Sequence, residues 1–252
     1  MTSIIVVDRH FAGASALFNP NAFPAAVRGD ALACGDRLAI LTHSVDIVLN
    51  ELRLNRARLL EEVRSNRAFD DSVPQSDRPA LLVFHNLNFV SGLYSALIAF
   101  KSLLDLYSRL IAKMLVPSAS VFGFGKGSYK GRKMPGGKFL NWIEGSSPES
   151  FPNREALISV LLDHIGRWAG RAVEYRDGVV HGGSIPGMSE TTISLDKTLS
   201  QLREADVVLP MMPNGIEVAD YSTGLVQATR TLITESLVLL PGVDVKLLSF
   251  DA

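Results

Sequence analysis

Two stretches of this chain carry apolar residues at helical spacing over lengths that a helical protein accommodates best. Between Ile40 and Arg67, Val45, Val48, Leu49, Leu52, Leu59, Leu60 and Val63 recur at intervals that place them on one helical stripe. Glu51, Arg53, Arg56, Arg58, Glu61 and Glu62 supply the solvated face. Between Ala80 and Leu115, Tyr94, Leu97, Ile98, Leu104, Ile111 and Leu115 repeat in the same way, with a break expected near Gly92. This second stretch stops before Pro117, as a helix should. At 1.5 Å per residue it spans roughly 50 Å, which suits a helical bundle rather than a compact α/β sandwich.

The remaining segments fill in around these two helices. The first 37 residues read as an irregular segment, with a short strand expected at Ile4 to Val7 and turn material at Asn19-Pro20, Phe23-Pro24 and Arg28-Gly29-Asp30. A helical domain then covers 38–252. Asp70 to Pro79, with Pro74 and Pro79, reads as a loop. A third helix is expected from an Asn153 cap, with Glu155 in its first turn, to about Val180, where Gly182-Gly183 stops it. Thr191 to Leu195 and Val207 to Met212 read as strands. The turn signal Pro213-Asn214-Gly215 sends the second back as a hairpin through Ile216 to Val218. A last helix fits Tyr221 to Leu239, closed by Pro241-Gly242. The predicted fold class is mainly α, an up-and-down helical bundle of about four substantial helices with a small β-hairpin embellishment.

Composition narrows the function. Hydrophobic residues make up 47% and charged residues 20% of the chain, a globular rather than a disordered mixture. Formal net charge is -1, so any grip on nucleic acid must come from a local basic patch. Cys34 is the only cysteine, which excludes an internal disulfide and a cysteine-rich zinc site. His10, His43, His85, His164 and His181 form no HExxH pair, and no metal or cofactor is expected. The apolar run at Ile4 to Val7 is too short for a signal peptide. Lys101, Asp105, Arg109 and Lys113 interrupt Leu93 to Val116, which reads as a buried helix rather than a membrane span. The expected setting is the cytoplasm, with no membrane partner.

The segment Glu174-Tyr175-Arg176-Asp177-Gly178-Val179-Val180-His181-Gly182-Gly183 combines two chemistries. Arginine is a permanent cation whose fork of donors suits phosphate, and histidine gives or takes a proton near neutral pH. Together they supply what phosphodiester cleavage needs without a metal: one group handles the proton, the other stabilises charge on phosphate. On an ideal helix Arg176 and His181 lie roughly 140° apart and do not share a face. Gly178 can distort the helix, the helix can end before His181, or a two-fold dimer can bring two copies of the motif into one cleft. Asp177 and His181 are four apart and share a face, so Asp177 is expected to orient the imidazole. The plainer alternative is a helix end whose dipole favours Arg and His, with Asp177 and His181 in a surface contact.

Tyr175 to Gly183 resembles the Arg-polar-x3-His signature of the HEPN superfamily, and a long helix through Phe100 to Tyr107 precedes a loop and the motif-bearing helix, as in that family. The resemblance covers about residues 40–240. It implies a helical bundle, often dimeric, and in many members a metal-independent endoribonuclease. It puts Arg176 and His181 at the catalytic positions and Asp177 at the polar one. It also implies a possible role in toxin–antitoxin or defence systems, and it includes members that bind a nucleotide, RNA or a partner protein without cutting.

Phe122 to Lys138 is the second candidate. Lys126, Lys130, Arg132, Lys133 and Lys138 sit among six glycines with no acidic residue between them. They are candidate RNA-backbone contacts, with Phe124 or Tyr129 as stacking platforms; the alternative is a solvated, mobile charged loop. Gly125-Lys126-Gly127-Ser128 lacks the order of a phosphate-binding loop. Asp105 is expected to pair with Arg109, four residues on. His85, Trp142 and Trp168 read as packing residues, and Cys34 as a small buried hydrophobe.

Overall fold

Helix begins well before Leu38. In the computed structural model, which describes residues 9–65, 80–82, 87–120, 123–181, 191–193, 212 and 215–249, Arg9–Leu17 forms α1 and Arg28–Ser65 forms α2. Over residues 9–37 the expected irregular segment is thus corrected, while residues 1–8, with the strand expected at Ile4 to Val7, lie outside the described residues. The reason is a stripe of small residues. Ala31, Cys34, Leu38, Leu41, Val45 and Val48 are all buried at spacings of three and four. Gly35 carries that stripe past α1, since a Cβ there would already touch Phe18 at 3.4 Å. Asp30, in the first turn of α2, accepts a 2.6 Å ion pair from Lys113.

The helix expected from Ala80 splits into two elements. Ala80–Leu82 is a strand, β1, paired antiparallel with a later strand, Thr191–Ile193, so that Ala80 faces Ile193. A short apolar run such as Ala80-Leu81-Leu82 satisfies either period, and pairing decides it. Leu87–Leu115 is α3, and it runs unbroken through Gly92. A Cβ at Gly92 would lie 3.0 Å from Ile47 Cγ2 and 3.3 Å from the Ser44 carbonyl, so the glycine serves close helix approach rather than a break. Among the described residues, α3 is the helix long and apolar enough to cross a membrane by length and composition, and half of its most apolar stretch is buried inside the protein.

After α3 come strands β2 (Gly127–Tyr129) and β3 (Arg132–Met134), then helices α4 (Gly137–Ser146) and α5 (Arg154–His164). A π turn over Ile165–Ala169 leads directly into α6 (Gly170–Val180). Thr191–Ile193 is β4 and Val218–Leu237 is α7. The fold is mainly helical with a small antiparallel hairpin, as the fold class predicts, but the hairpin is β2–β3. Of the hairpin expected near the C-terminus, Val207 to Met211 lies outside the described residues; Met212 N–H donates to the Ile216 carbonyl at 2.8 Å across a turn that includes Gly215 at φ 77°.

The chain divides into two compact units. One comprises Met1–His43, Ser95–Gly183 and Leu225–Ala252, and it holds the largest buried side chains: Phe18, Phe100, Phe124 and Phe139. Phe18 packs edge-on against Tyr107, whose buried hydroxyl lies 2.6 Å from Ser236 Oγ on α7. The chain ends of this unit are pinned together, with Ser249 N–H donating to Ala16 and Asn19 Nδ2 to Leu247. The other unit comprises Ser44–Tyr94 and Ser184–Gly224 and includes the β1–β4 pair and the Gly92 contact.

Cys34 is fully buried, as a small hydrophobe should be. Burial pushes its thiol far up, with the Asp30 charge adding to the effect and Arg109 opposing it. The thiolate is the nucleophile, so an aromatic disulfide reagent should leave the folded protein unmodified and react only as it unfolds. Rapid stoichiometric reaction of the native chain would contradict this placement.

Candidate functional site

The basic segment is an ordered hairpin, not the mobile loop its glycines suggest. Tyr129 faces Arg132 across β2 and β3, and the two-residue turn between them has Lys130 at φ 45° and Gly131 at φ 79°. Positive φ at both positions is the type I′ turn, whose twist matches that of paired strands. Asp105 anchors the approach: Phe124 N–H donates to its carboxylate at 2.6 Å. Lys101 takes the same carboxylate at 2.6 Å, so Asp105 pairs one turn back and not with Arg109 as expected. Phe124 and Tyr129 are 2% and 3% exposed, which removes them as stacking platforms for bases. Gly137 lies against the Gly127 carbonyl, where any Cβ would collide with backbone. Gly137→Ala should therefore cost about 1–3 kcal/mol, the usual cost of overpacking. A denaturant midpoint equal to wild type would contradict that seam.

The five basic side chains divide into two groups. Lys130 reaches Glu144 at 3.3 Å and lies over the Tyr129 ring; its ammonium is pushed up, first by the hydrogen bond to Glu144. Lys126 reaches Glu174 of α6 at 3.3 Å, so the segment leading into the hairpin sits beside the motif helix. Arg132, Lys133 and Lys138 are exposed, with no ion pair among the described residues. They are the part of the patch still open to an anionic chain.

The motif helix is the end of a longer helical run. Asn153 stands at its start, but its side chain donates to the Leu239 carbonyl at 3.0 Å instead of capping α5, while Glu155 does occupy the first turn. Leu157, Leu161, His164 and Ile165 bury one stripe, Ala169 closes the π turn on it, and Ala172, Val173 and Val179 continue it along α6. The buried His164 and the half-buried Trp168 form a pair that the sequence reading missed, although their four-residue spacing signals it. Trp168 Nε1–H donates to His164 Nδ1 at 2.8 Å. An indole only donates, so His164 Nδ1 is an acceptor, and Nε2 carries the proton toward Glu235 Oε2 at 2.9 Å. The Trp168 ring packs 5.7 Å from Phe100, in the packing role expected for it. Trp142 stacks on Phe139.

Arg176 lies within the inward stripe of α6, its side chain 23% exposed. Its Nη1 donates to Asp177 Oδ1 at 2.9 Å, while its buried Nε has no hydrogen-bond partner among the described residues. Asp177 was expected to orient His181; its carboxylate instead holds the neighbouring guanidinium, and only its backbone carbonyl meets His181, accepting that residue's N–H at 3.0 Å. A permanent cation next door outcompetes an imidazole four residues away. Helix α6 runs straight through Gly178 and ends at His181, which has φ -93° and ψ 22° and is exposed. Of the two routes within one chain, distortion at Gly178 is not used, and the helix ends at His181. Gly182, Gly183 and His85 lie outside the described residues. Burial pushes the neighbouring Tyr175 hydroxyl up to about 12, so it stays protonated at neutral pH.

Glu174 and His181 are seven residues apart and share a helix face, about 10 Å apart along the axis. The Lys126 contact therefore marks the side of α6 toward which the exposed His181 end continues, with Arg176 turned inward. The arrangement offers a half-satisfied guanidinium, an exposed imidazole and a basic hairpin in one compact unit. Among the described residues, no group of three or more His, Cys, Asp or Glu side chains is placed to hold a metal ion. No family model matches the chain, and neither a curated protein nor a solved structure is significantly similar to it.

Proposed function

We propose that this chain is a HEPN-type, metal-independent endoribonuclease acting in the cytoplasm as a homodimer. The observation that carries the reading is the Arg176 guanidinium: Nη1 is paired, yet Nε is buried without a partner among the described residues. A buried unsatisfied donor costs about 1–3 kcal/mol, and an anion supplies the acceptor that relieves it. In the reaction, the 2'-hydroxyl of RNA attacks the adjacent phosphorus, its proton leaves, and the 5' oxygen departs with a proton. His181 serves as base or acid in that exchange, and Arg176 stabilises the phosphorane-like transition state. Asp177 holds Arg176, and Arg132, Lys133 and Lys138, with Lys126 and Lys130, track the backbone. The product end is a cyclic phosphate.

One observation favours a second reading. No side-chain hydrogen bond from the described residues orients His181, and a catalytic imidazole is ordinarily held by a second group. On that reading the domain binds RNA, a nucleotide or an anionic partner protein without cutting. The test incubates wild type with a labelled panel of structured and unstructured RNAs and scores bound fraction and cyclic-phosphate ends. Cyclic-phosphate ends support the nuclease; stable binding with intact RNA supports the binding module. Neither binding nor cleavage across the panel sinks both.

A further inference from the structure

The helical run that carries the motif contains one irregularity, and it lies between the buried His164 and Arg176. Over Ile165–Ala169 the backbone widens into a π turn, with Gly170 N–H donating to the Ile165 carbonyl five residues back. Such a turn accommodates one residue more than the α-helix does. Twelve residues separate His164 from Arg176, so on an uninterrupted helix they would lie about 120° apart. Counting out the extra residue reduces that angle to about 20°. Arg176 thereby falls on the same side as the buried His164; without the turn Tyr175 would hold its phase.

The turn is built in. A Cβ at Gly170 would stand 2.7 Å from the Ile165 carbonyl oxygen, so glycine is what lets the wide turn close. Trp168, inside the turn, donates to His164 just before it, and the other nitrogen of the same ring meets Glu235 on α7. Phe100 on α3 braces the indole. Gly166, by contrast, faces open space, so it carries no contact that the turn depends on.

We infer that the π turn and the His164 bonds around it are a positioning device: they set the rotational phase of α6 and so hold Arg176 inward and His181 outward. His164, Trp168 and Gly170 are positioning residues. That this phase serves anion binding rests on the function proposed above; the phase itself is read without any ligand. Closing the turn into regular α-helix at unchanged length advances every later residue of α6 by about 100°. Val173, now 2% exposed, would take the outward phase that Glu174 holds. Arg176 would take the phase of Asp177.

The test is thiol labelling of Val173→Cys in the full chain, alone, with Gly170→Ala, and with Gly170→Ala plus deletion of Gly166. The buried Cys34 is the internal control for an intact core. Gly170→Ala crowds the turn at unchanged length and should raise labelling at position 173 by about tenfold or more while Cys34 stays protected. The added deletion takes out the extra residue, so a regular helix then holds the original phase and labelling should fall back toward its starting rate. Raised labelling that the deletion does not reverse would overturn the proposal. Should those variants not fold, Trp168→Phe carries the test: losing the side-chain bond to His164 should speed labelling at 173 ahead of Cys34. Unchanged labelling in Gly170→Ala and Trp168→Phe, or equal loosening at 173 and Cys34, would reject a positioning role. Because no RNA is present, failure here is separable from failure of the nuclease reading.

Discussion

Phe100→Ala should lower stability by about 3–5 kcal/mol, the usual cost of emptying a buried phenylalanine site. The ring is fully buried and rests against Trp168, so truncation opens a cavity beside the π turn as well as in the core. For a chain of this length the melting midpoint should fall by roughly 6–20 °C. Tryptophan fluorescence is the appropriate signal, because Trp142 and Trp168 lie in the same compact unit. A shift of only a degree or two would mean that α3 does not pack as described.

The second large effect concerns the motif. Arg176→Ala and His181→Ala should each lower RNA cleavage by about 10²–10⁴, the range of a lost proton carrier or a lost charge stabiliser. Arg176→Lys should recover little, because an ammonium cannot keep one donor on Asp177 and present a fork to phosphate. Full activity in Arg176→Lys would show that only the charge matters. Circular dichroism and midpoints near wild type are needed alongside, since Arg176 sits in the inward stripe of α6.

The long helices were legible because their buried stripes are large: Val45, Val48, Leu97 and Leu104 announce a period that packing then uses. The start of α2 was not, because its stripe begins with Ala31 and Cys34, residues that carry little hydrophobic signal, just after Arg28-Gly29-Asp30, which reads as a turn. The β2–β3 hairpin hid behind its own turn residues. Lys130-Gly131 is a weaker type I′ signal than Asn-Gly, and the surrounding charge suggests a loop. In the motif, spacing pointed Asp177 at His181, and its carboxylate meets Arg176 instead. The helical four-residue rule describes which side chains can meet, and the adjacent guanidinium offered a stronger partner. The π turn has no periodic signature. Gly170 marks where it can form, and the partners of His164 on α7 and of Trp168 on α3 are ones that local sequence does not report.

The central claim is that Arg176 and His181 cut RNA without a metal. Its most direct test is cleavage of the labelled RNA panel in excess chelator by wild type, Arg176→Ala and His181→Ala. The account predicts that wild type cleaves in chelator and leaves a cyclic phosphate, and that both variants lose that cleavage. Wild-type cleavage abolished by chelator, or cleavage unchanged by His181→Ala, would contradict it.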